Sequence, residues 1–145
     1  MARGFSLVEL AFVLLIVAVL TAVGLPWLRP FLDRIATDQA AREITTALAV
    51  GRHGAVMQAT RARVTIAEDS LRIDRLKVGT GAEWEPWWRQ PGPADHRVQI
   101  EVSNPEVVFG PTGLGWGAAN TKVVLRRGSQ VETITVSRLG RVKRW

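Results

Sequence analysis

Gly4-Phe5-Ser6-Leu7-Val8-Glu9-Leu10 opens an apolar run that ends only at Arg29. Residues 10–28 carry no charged side chain. As a helix of about 19 residues at ~1.5 Å each, they come close to the ~30 Å hydrocarbon core of a bilayer. The stretch is long enough to span a membrane. Glu9 separates it from an ordinary anchor, because an ionised side chain in such a run is costly, by roughly 2.5–3.5 kcal/mol at the centre of a span even on the lenient insertion scale. That carboxylate needs a partner. A cleavable secretory signal would take Arg3 as its positive region and Ala22-Val23-Gly24 as a small-x-small cleavage site. The apolar run, however, continues past that site through Trp27 and Leu28. A plain signal anchor needs only one basic residue before a long apolar helix. Neither reading accounts for Glu9.

Gly4, the following Phe5-Ser6-Leu7-Val8-Glu9 and the apolar helix together resemble the class III signal of type IV prepilins and type II secretion pseudopilins. The resemblance implies that a prepilin peptidase/methyltransferase in the membrane cuts between Gly4 and Phe5 and N-methylates Phe5. It also implies that Glu9 is the assembly acid that meets the amine of a neighbouring subunit. Pairing that new amine with Glu9 would offset the desolvation of both. Residues four apart share a helix face, so the pair could also close within one subunit before assembly. Pro26 stands where that family often carries a helix-interrupting proline, and Pro30 is added here.

Further along, Pro26 and Pro30 each remove a donor and crowd the carbonyl four residues back, which predicts a kink or local opening within residues 24–31. Helical spacing resumes with Phe31, Ile35, Ala40, Ile44, Ala47, Leu48, Gly51 and Ala55. One long helix is therefore expected from Phe5 to about Thr60, its second half lying on a sheet. His53 reads as a partly exposed packing residue rather than a ligand. The period then becomes two: 62–66 and 71–74 read as a hairpin. Residues 79–97 read as a long loop, broken by Gly79, Gly81, Pro86, Pro91 and Pro93. Its Trp84, Trp87 and Trp88 form either a binding patch or an Ω-like loop folded onto the sheet. His96, at its end, has no visible partner. Strands follow at 98–102, 107–109, 122–126 and 131–136, with a tight turn at Gly128-Ser129 and a last short strand after Gly140.

The second half extends the resemblance. Val108-Phe109-Gly110-Pro111-Thr112-Gly113, then Ile134-Thr135-Val136-Ser137 and Gly140-Arg141-Val142, look like the GspH/FimT group of minor pilins and pseudopilins. The fold class expected is α+β: a long N-terminal membrane-spanning α-helix packed onto an antiparallel β-sheet domain, pilin-like. The division implied is a leader at 1–4, a transmembrane assembly helix at 5–28, its amphipathic continuation at 29–61 and a periplasmic β domain at 62–145.

The formal charge is +6, and all of the excess lies in the last 25 residues, where seven Lys and Arg face Glu132 alone. There Arg126, Arg127, Arg138, Arg141, Lys143 and Arg144 are candidate DNA-binding residues, since clustered cations neutralise phosphates without reading bases. A solvated face that keeps the domain soluble, or that meets acidic neighbours in a filament, is the reading placed ahead of DNA binding. FimT-like minor pilins that take up DNA carry a Gly-Arg-x-Arg motif which Gly140-Arg141-Val142-Lys143 resembles, with lysine replacing the second arginine. Lysine keeps the charge and loses the planar fork. Trp145 beside them would stack on a base or cap the sheet edge.

Catalytic signatures are missing from the sequence. Gly79-Thr80-Gly81 lacks the third glycine of a dinucleotide fingerprint, and Gly113-Leu114-Gly115-Trp116-Gly117 has no phosphate-loop lysine after it. No Gly-x-Ser-x-Gly elbow or histidine pair at metal spacing occurs, and Cys is absent. No enzymatic activity, cofactor or metal is expected. The partners implied are the membrane, other pilins or pseudopilins in a filament, the prepilin peptidase/methyltransferase, and DNA. The resemblance covers both groups, and with almost no other clue in the sequence the type II secretion pseudopilus is preferred over a FimT-like minor pilin for DNA uptake or pilus biogenesis. A membrane-anchored nucleic-acid binder outside any filament is the reading from another class.

Overall fold

The computed structural model describes residues 6–79, 83–117 and 120–145. A helix, α1, runs over Leu7–Met57 without interruption, which at ~1.5 Å per residue makes it roughly 75 Å long. The opening expected around Pro26 and Pro30 does not break it. Each proline withholds only its own donor, so the carbonyls of Ala22 and Pro26 lose an intrahelical partner. The two halves differ in surroundings: residues 7–28 touch none of the domain's core, whereas Ala36, Thr37, Ala40, Ala41, Ile44, Ala47, Leu48, Gly51, Gly54 and Ala55 are buried. Phe31 and Ile35, expected at the start of that stripe, remain exposed. Both stand on the face of the helix opposite Asp33, Thr37, Ala40 and Ile44, at ~100° per residue, so the sheets seated on that side do not cover them.

After the helix come β1 (Ala62–Ile66), β2 (Ser70–Leu76), β3 (Trp84–Pro91), a 3-10 turn at Pro93–His96, β4 (Gln99–Val102) and β5 (Glu106–Phe109). They are followed by β6 (Gly115–Trp116), β7 (Thr121–Arg127), β8 (Gln130–Val136) and β9 (Val142–Arg144). The strands form two antiparallel sheets, ordered β3-β2-β1-β5-β6 and β4-β7-β8-β9. Both sheets pack on α1. The expected α+β architecture is what the chain adopts.

The core lies between them. Ile44 and Leu48 meet Val64, Leu71, Ile73, Phe109, Val123, Leu125 and Ile134, all fully buried, and each such side chain contributes about 1.5–3 kcal/mol by leaving water. Small residues on the helix set how closely the first sheet approaches. A Cβ at Gly51 would fall 2.3 Å from a Val64 methyl, and one at Gly54 would fall 2.4 Å from the Trp87 ring.

The stretch expected as a loop over 79–97 is largely ordered. Trp84–Pro91 is an edge strand paired with β2, with a bulge that leaves Trp87 without a partner between Trp88 (opposite Ile73) and Pro86 (opposite Asp74). An edge strand has one neighbour only, so its prolines need not interrupt a ladder on both sides. The tryptophans are accounted for individually. Trp84 stacks under the Arg63 guanidinium at 4.6 Å, Trp87 lies on Gly54, and Trp88 packs against the core. Arg63 in turn meets the buried Asp74 carboxylate at 3.0 Å, which Arg72 also reaches at 3.2 Å.

Candidate functional site

Ser6 occupies the cap position of α1 without a side-chain cap bond, and Glu9 stands in the first turn. A carboxylate there complements the positive end of the helix dipole. Glu9 is exposed, and its neighbours Val8, Leu10 and Phe12 are exposed with it. Gly4 and Phe5, the expected cleavage and methylation positions, lie outside the described residues. Within the bare half the one hydroxyl is internally satisfied, Thr21 Oγ1 donating to the Val17 carbonyl at 2.6 Å, as an apolar environment demands. The half-helix therefore presents an uninterrupted apolar surface to its surroundings, with a single ionisable group at its head.

The seated half is latched by polar contacts on successive turns. Arg127 Nε donates to Asp33 Oδ1 at 2.8 Å, and its second nitrogen donates to the His96 carbonyl. Arg144 Nη2 donates to Asp38 Oδ1 at 2.5 Å while Arg144 Nε donates to Glu132 Oε1 at 2.5 Å. His96 Nε2 lies 2.8 Å from Glu43 Oε1, giving His96 the partner that the sequence alone does not reveal. Arg52 donates to the Gly140 carbonyl at 3.3 Å. Hydrogen bonds from Arg144 first, and then from Arg42, hold the Asp38 carboxyl below its ordinary range. Glu132 and Asp38 raise Arg144 in return.

This arrangement divides the candidate basic residues. Along β7, Thr121, Val123, Leu125 and Arg127 point to the helix and Lys122, Val124 and Arg126 point away, as strand alternation requires. In β9, Arg144 lies opposite Ile134 on the inner face and Lys143 lies opposite Thr135 on the outer one. Arg127 and Arg144 are thus engaged with the helix. Lys122, Arg126 and Lys143 share the outward face of the second sheet, and Arg138 and Arg141 are exposed on the turn before β9. Lys143 Nζ sits 5.0 Å from the Trp145 ring, whose Nε1 donates to Thr135 Oγ1 at 3.4 Å. Glu101, opposite Val124, is the acid on that outward face.

Two open grooves of about 590 Å³ flank the helix. One, towards the apolar half, includes Phe31, Arg34, Ile35, Val131 and Trp145; the other brings Arg52, exposed His53 and Arg141 beside Val56 and Val142. Among the described residues, no three His, Cys, Asp or Glu side chains gather where they could hold a metal ion. Sequence reading missed the latches at Asp33, Asp38 and Glu43. For Arg127 the signal was there, since it shares the parity of the apolar Val123 and Leu125.

No protein-family model matches the chain, and no curated protein matches it in sequence. Solved structures do match in shape. The Pseudomonas aeruginosa type IV minor pilin FimU superimposes with a TM-score of 0.63 at 17% identity, covering 79% of this chain and 91% of that one. The minor pseudopilin EpsH of the Vibrio cholerae type 2 secretion system does so with a TM-score of 0.60 at 12% identity, covering 75% of this chain and 95% of that one. With its long N-terminal helix seated on antiparallel sheets, this chain has the type IV pilin-like, GspH-like fold to which those two structures are similar.

Proposed function

We propose that the chain is a minor pilin-like subunit of a type IV filament machine, working in the type II secretion pseudopilus and so in protein export. It is a single-pass protein of the bacterial inner membrane with its C-terminal domain in the periplasm. A prepilin peptidase/methyltransferase cuts between Gly4 and Phe5 and methylates Phe5, and the helix is then drawn from the bilayer into a filament of other pilins or pseudopilins. Glu9 sets register by meeting a neighbour's amine, and Pro26 and Pro30 ease the helix at the point where it leaves the domain. One observation carries this reading. A bare apolar half-helix headed by a lone acid is covalently continuous with a half-helix latched into a small domain. Its role is structural, in keeping with the pilin subunits it resembles in fold. Deletion of the gene in a host with all three capacities tests it: export should fail while transformation and twitching persist, and full export without the protein would sink the assignment.

A second reading, a FimT-like minor pilin for DNA uptake or pilus biogenesis, is favoured by the cations Lys122, Arg126 and Lys143 sharing one outward face. In that reading Arg138 and Arg141 extend the patch, and Arg127 and Arg144 are left to the helix. Loss of transformation with export intact would select it.

A further inference from the structure

The β7–β8 hairpin turns at the membrane-facing end of the domain. A Cβ on Gly128, which has φ +54°, would fall 2.4 Å from Asp33 Oδ2, so the hairpin tip lies against the helix at Asp33. Asp33 is five residues beyond Leu28, where the apolar run ends, or roughly 7.5 Å along the axis. Headgroups extend a bilayer from ~30 Å to ~40–45 Å, which is roughly 5–7 Å on each side. The tip therefore stands at headgroup height whenever residues 7–28 span.

Its chemistry suits that layer. Gly128, Ser129 and Gln130 are polar and at least partly exposed, which fits hydrated headgroups and not hydrocarbon. Arg29 and Arg34 flank the tip on the helix and Arg126 stands two residues before Gly128. All three are exposed, and none of them enters an ion pair among the described residues. Arg127, the inward neighbour of Arg126, is by contrast engaged by Asp33. Trp27 and Phe31, 86% and 61% exposed, bracket Arg29 on the helix. Aromatic rings beside arginines are the pairing that favours a membrane–water boundary. The four tryptophans of the five-stranded sheet behave differently, Trp84 and Trp116 lying under arginines and Trp87 and Trp88 on the helix and core.

We propose that this end of the domain, the β7–β8 tip with Arg29, Arg34 and Arg126, docks on anionic phospholipid headgroups of the leaflet from which the helix emerges. The inference rests on the membrane-spanning part of the function proposed above and is independent of any filament. Each guanidinium meets lipid phosphates, and together they hold the domain down against the leaflet. Attraction of this kind grows with lipid charge and weakens with salt.

The chain has no cysteine, so single ones can be introduced as probe sites. Ser129→Cys marks the tip. Leu139→Cys marks an exposed site next to Gly140 and Arg52, 19 residues beyond Asp33 or roughly 28 Å farther up the helix. The full chain, labelled at either site with a fluorophore, is reconstituted in phosphatidylcholine vesicles with or without phosphatidylglycerol. A small share of the lipid carries a nitroxide on its headgroup. Quenching at residue 129 should exceed that at residue 139 severalfold, rise with phosphatidylglycerol and fall with salt. It should also fall on changing Arg29, Arg34 and Arg126 to Gln. Equal quenching at both sites, or quenching at residue 129 indifferent to lipid charge and salt, overturns the docking even if the arginine variants fold poorly. Shielding of residue 129 that appears only at high protein density assigns the face to a second copy and overturns it too. Protease protection of the helix in the same vesicles separates the two readings. A protected helix with an unquenched tip removes docking alone, and an unprotected helix removes the anchor with it.

Discussion

Arg144 and Asp38 join the last strand to the helix across 106 residues of chain, nitrogen to oxygen at 2.5 Å, and the same guanidinium holds Glu132. The C-terminal residues are thereby part of how the helix is seated. Both partners are about a third exposed or more, so solvent screens the pair. Arg144→Gln should lower stability by roughly 0.5–1 kcal/mol, the upper range for exposed pairs because two pairs are lost together, although Asp38 keeps Arg42. Asp38, held below its ordinary range, contributes stability that is present above the unfolded value near ~3.9 and lost as pH falls through the lower folded value. The melting-temperature gap between the wild type and Asp38→Asn should be open near neutral pH and close in acid. A gap that does not change with pH would mean that the carboxylate adds nothing.

Gly54 sits beneath the Trp87 ring, with room for no side chain at all. Alanine normally stabilises an exposed helix position by about 1 kcal/mol over glycine. At Gly54 the sign reverses: Gly54→Ala should destabilise by roughly 1–3 kcal/mol through overpacking. Trp87→Ala in the same chain should recover part of that loss, because the two side chains compete for one volume. Urea unfolding of the single and double variants checks it, and strictly additive losses would show that the contact is not shared.

How much of this was legible follows from how local each signal is. The helix, its apolar first half, the β1–β2 hairpin and the strands β4, β5, β7 and β8 are written in periods of 3.6 and 2 that need no partner, whereas the two-residue β6, Gly115–Trp116, reads in sequence only as a glycine-rich turn. Trp84–Pro91 was not legible as a strand because Pro86 and Pro91 are the strongest local breakers, and only its position at the sheet edge makes them harmless. Phe31 and Ile35 are four residues apart as a stripe requires, but the five-residue step from Ile35 to Ala40 puts them on the opposite side of the helix from the seated face. The division of the basic cluster depended on register. Parity along β7 put Arg127 inward with Leu125, whereas the inward position of Arg144 required the pairing of β9 with Ile134. His96 and Glu43 are 53 residues apart, and nothing in either neighbourhood announces the other.

That division makes the DNA reading testable in a specific way. If phosphates bind the outward face of the second sheet, changing Lys122, Arg126 or Lys143 to Gln should each reduce the salt slope of binding by ~0.7–0.9, the share of one phosphate contact. Arg144→Gln should leave the slope unchanged, since its guanidinium is engaged by Asp38 and Glu132. Gel shifts of the detergent-solubilised chain across a salt series read both. A slope that falls with Arg144→Gln and not with Lys143→Gln would reverse the assignment of faces, and no salt dependence at all would return the cations to solubility.

Glu9 supplies the last test, because within the chain the helix dipole is all that favours its charge and no described side chain pairs with it. Its side chain is exposed in the first turn of a half-helix that no part of the domain covers. Burial in a bilayer or among neighbouring helices would cost several kcal/mol unless an amine faces it. Glu9→Ala removes the carboxylate and its desolvation together, so membrane insertion should be unchanged or improved. Incorporation into a filament with other pilins should drop severely, because a neighbour's buried amine loses its counter-charge. Glu9→Gln keeps the shape and hydrogen-bonding capacity without the charge, and should be as defective if pairing is ionic. Mass spectrometry of the wild-type chain, which should begin at a methylated Phe5, shows whether the amine exists to be paired. Full incorporation of Glu9→Ala alongside correct processing would detach the acid from assembly and leave helix-end electrostatics as its role.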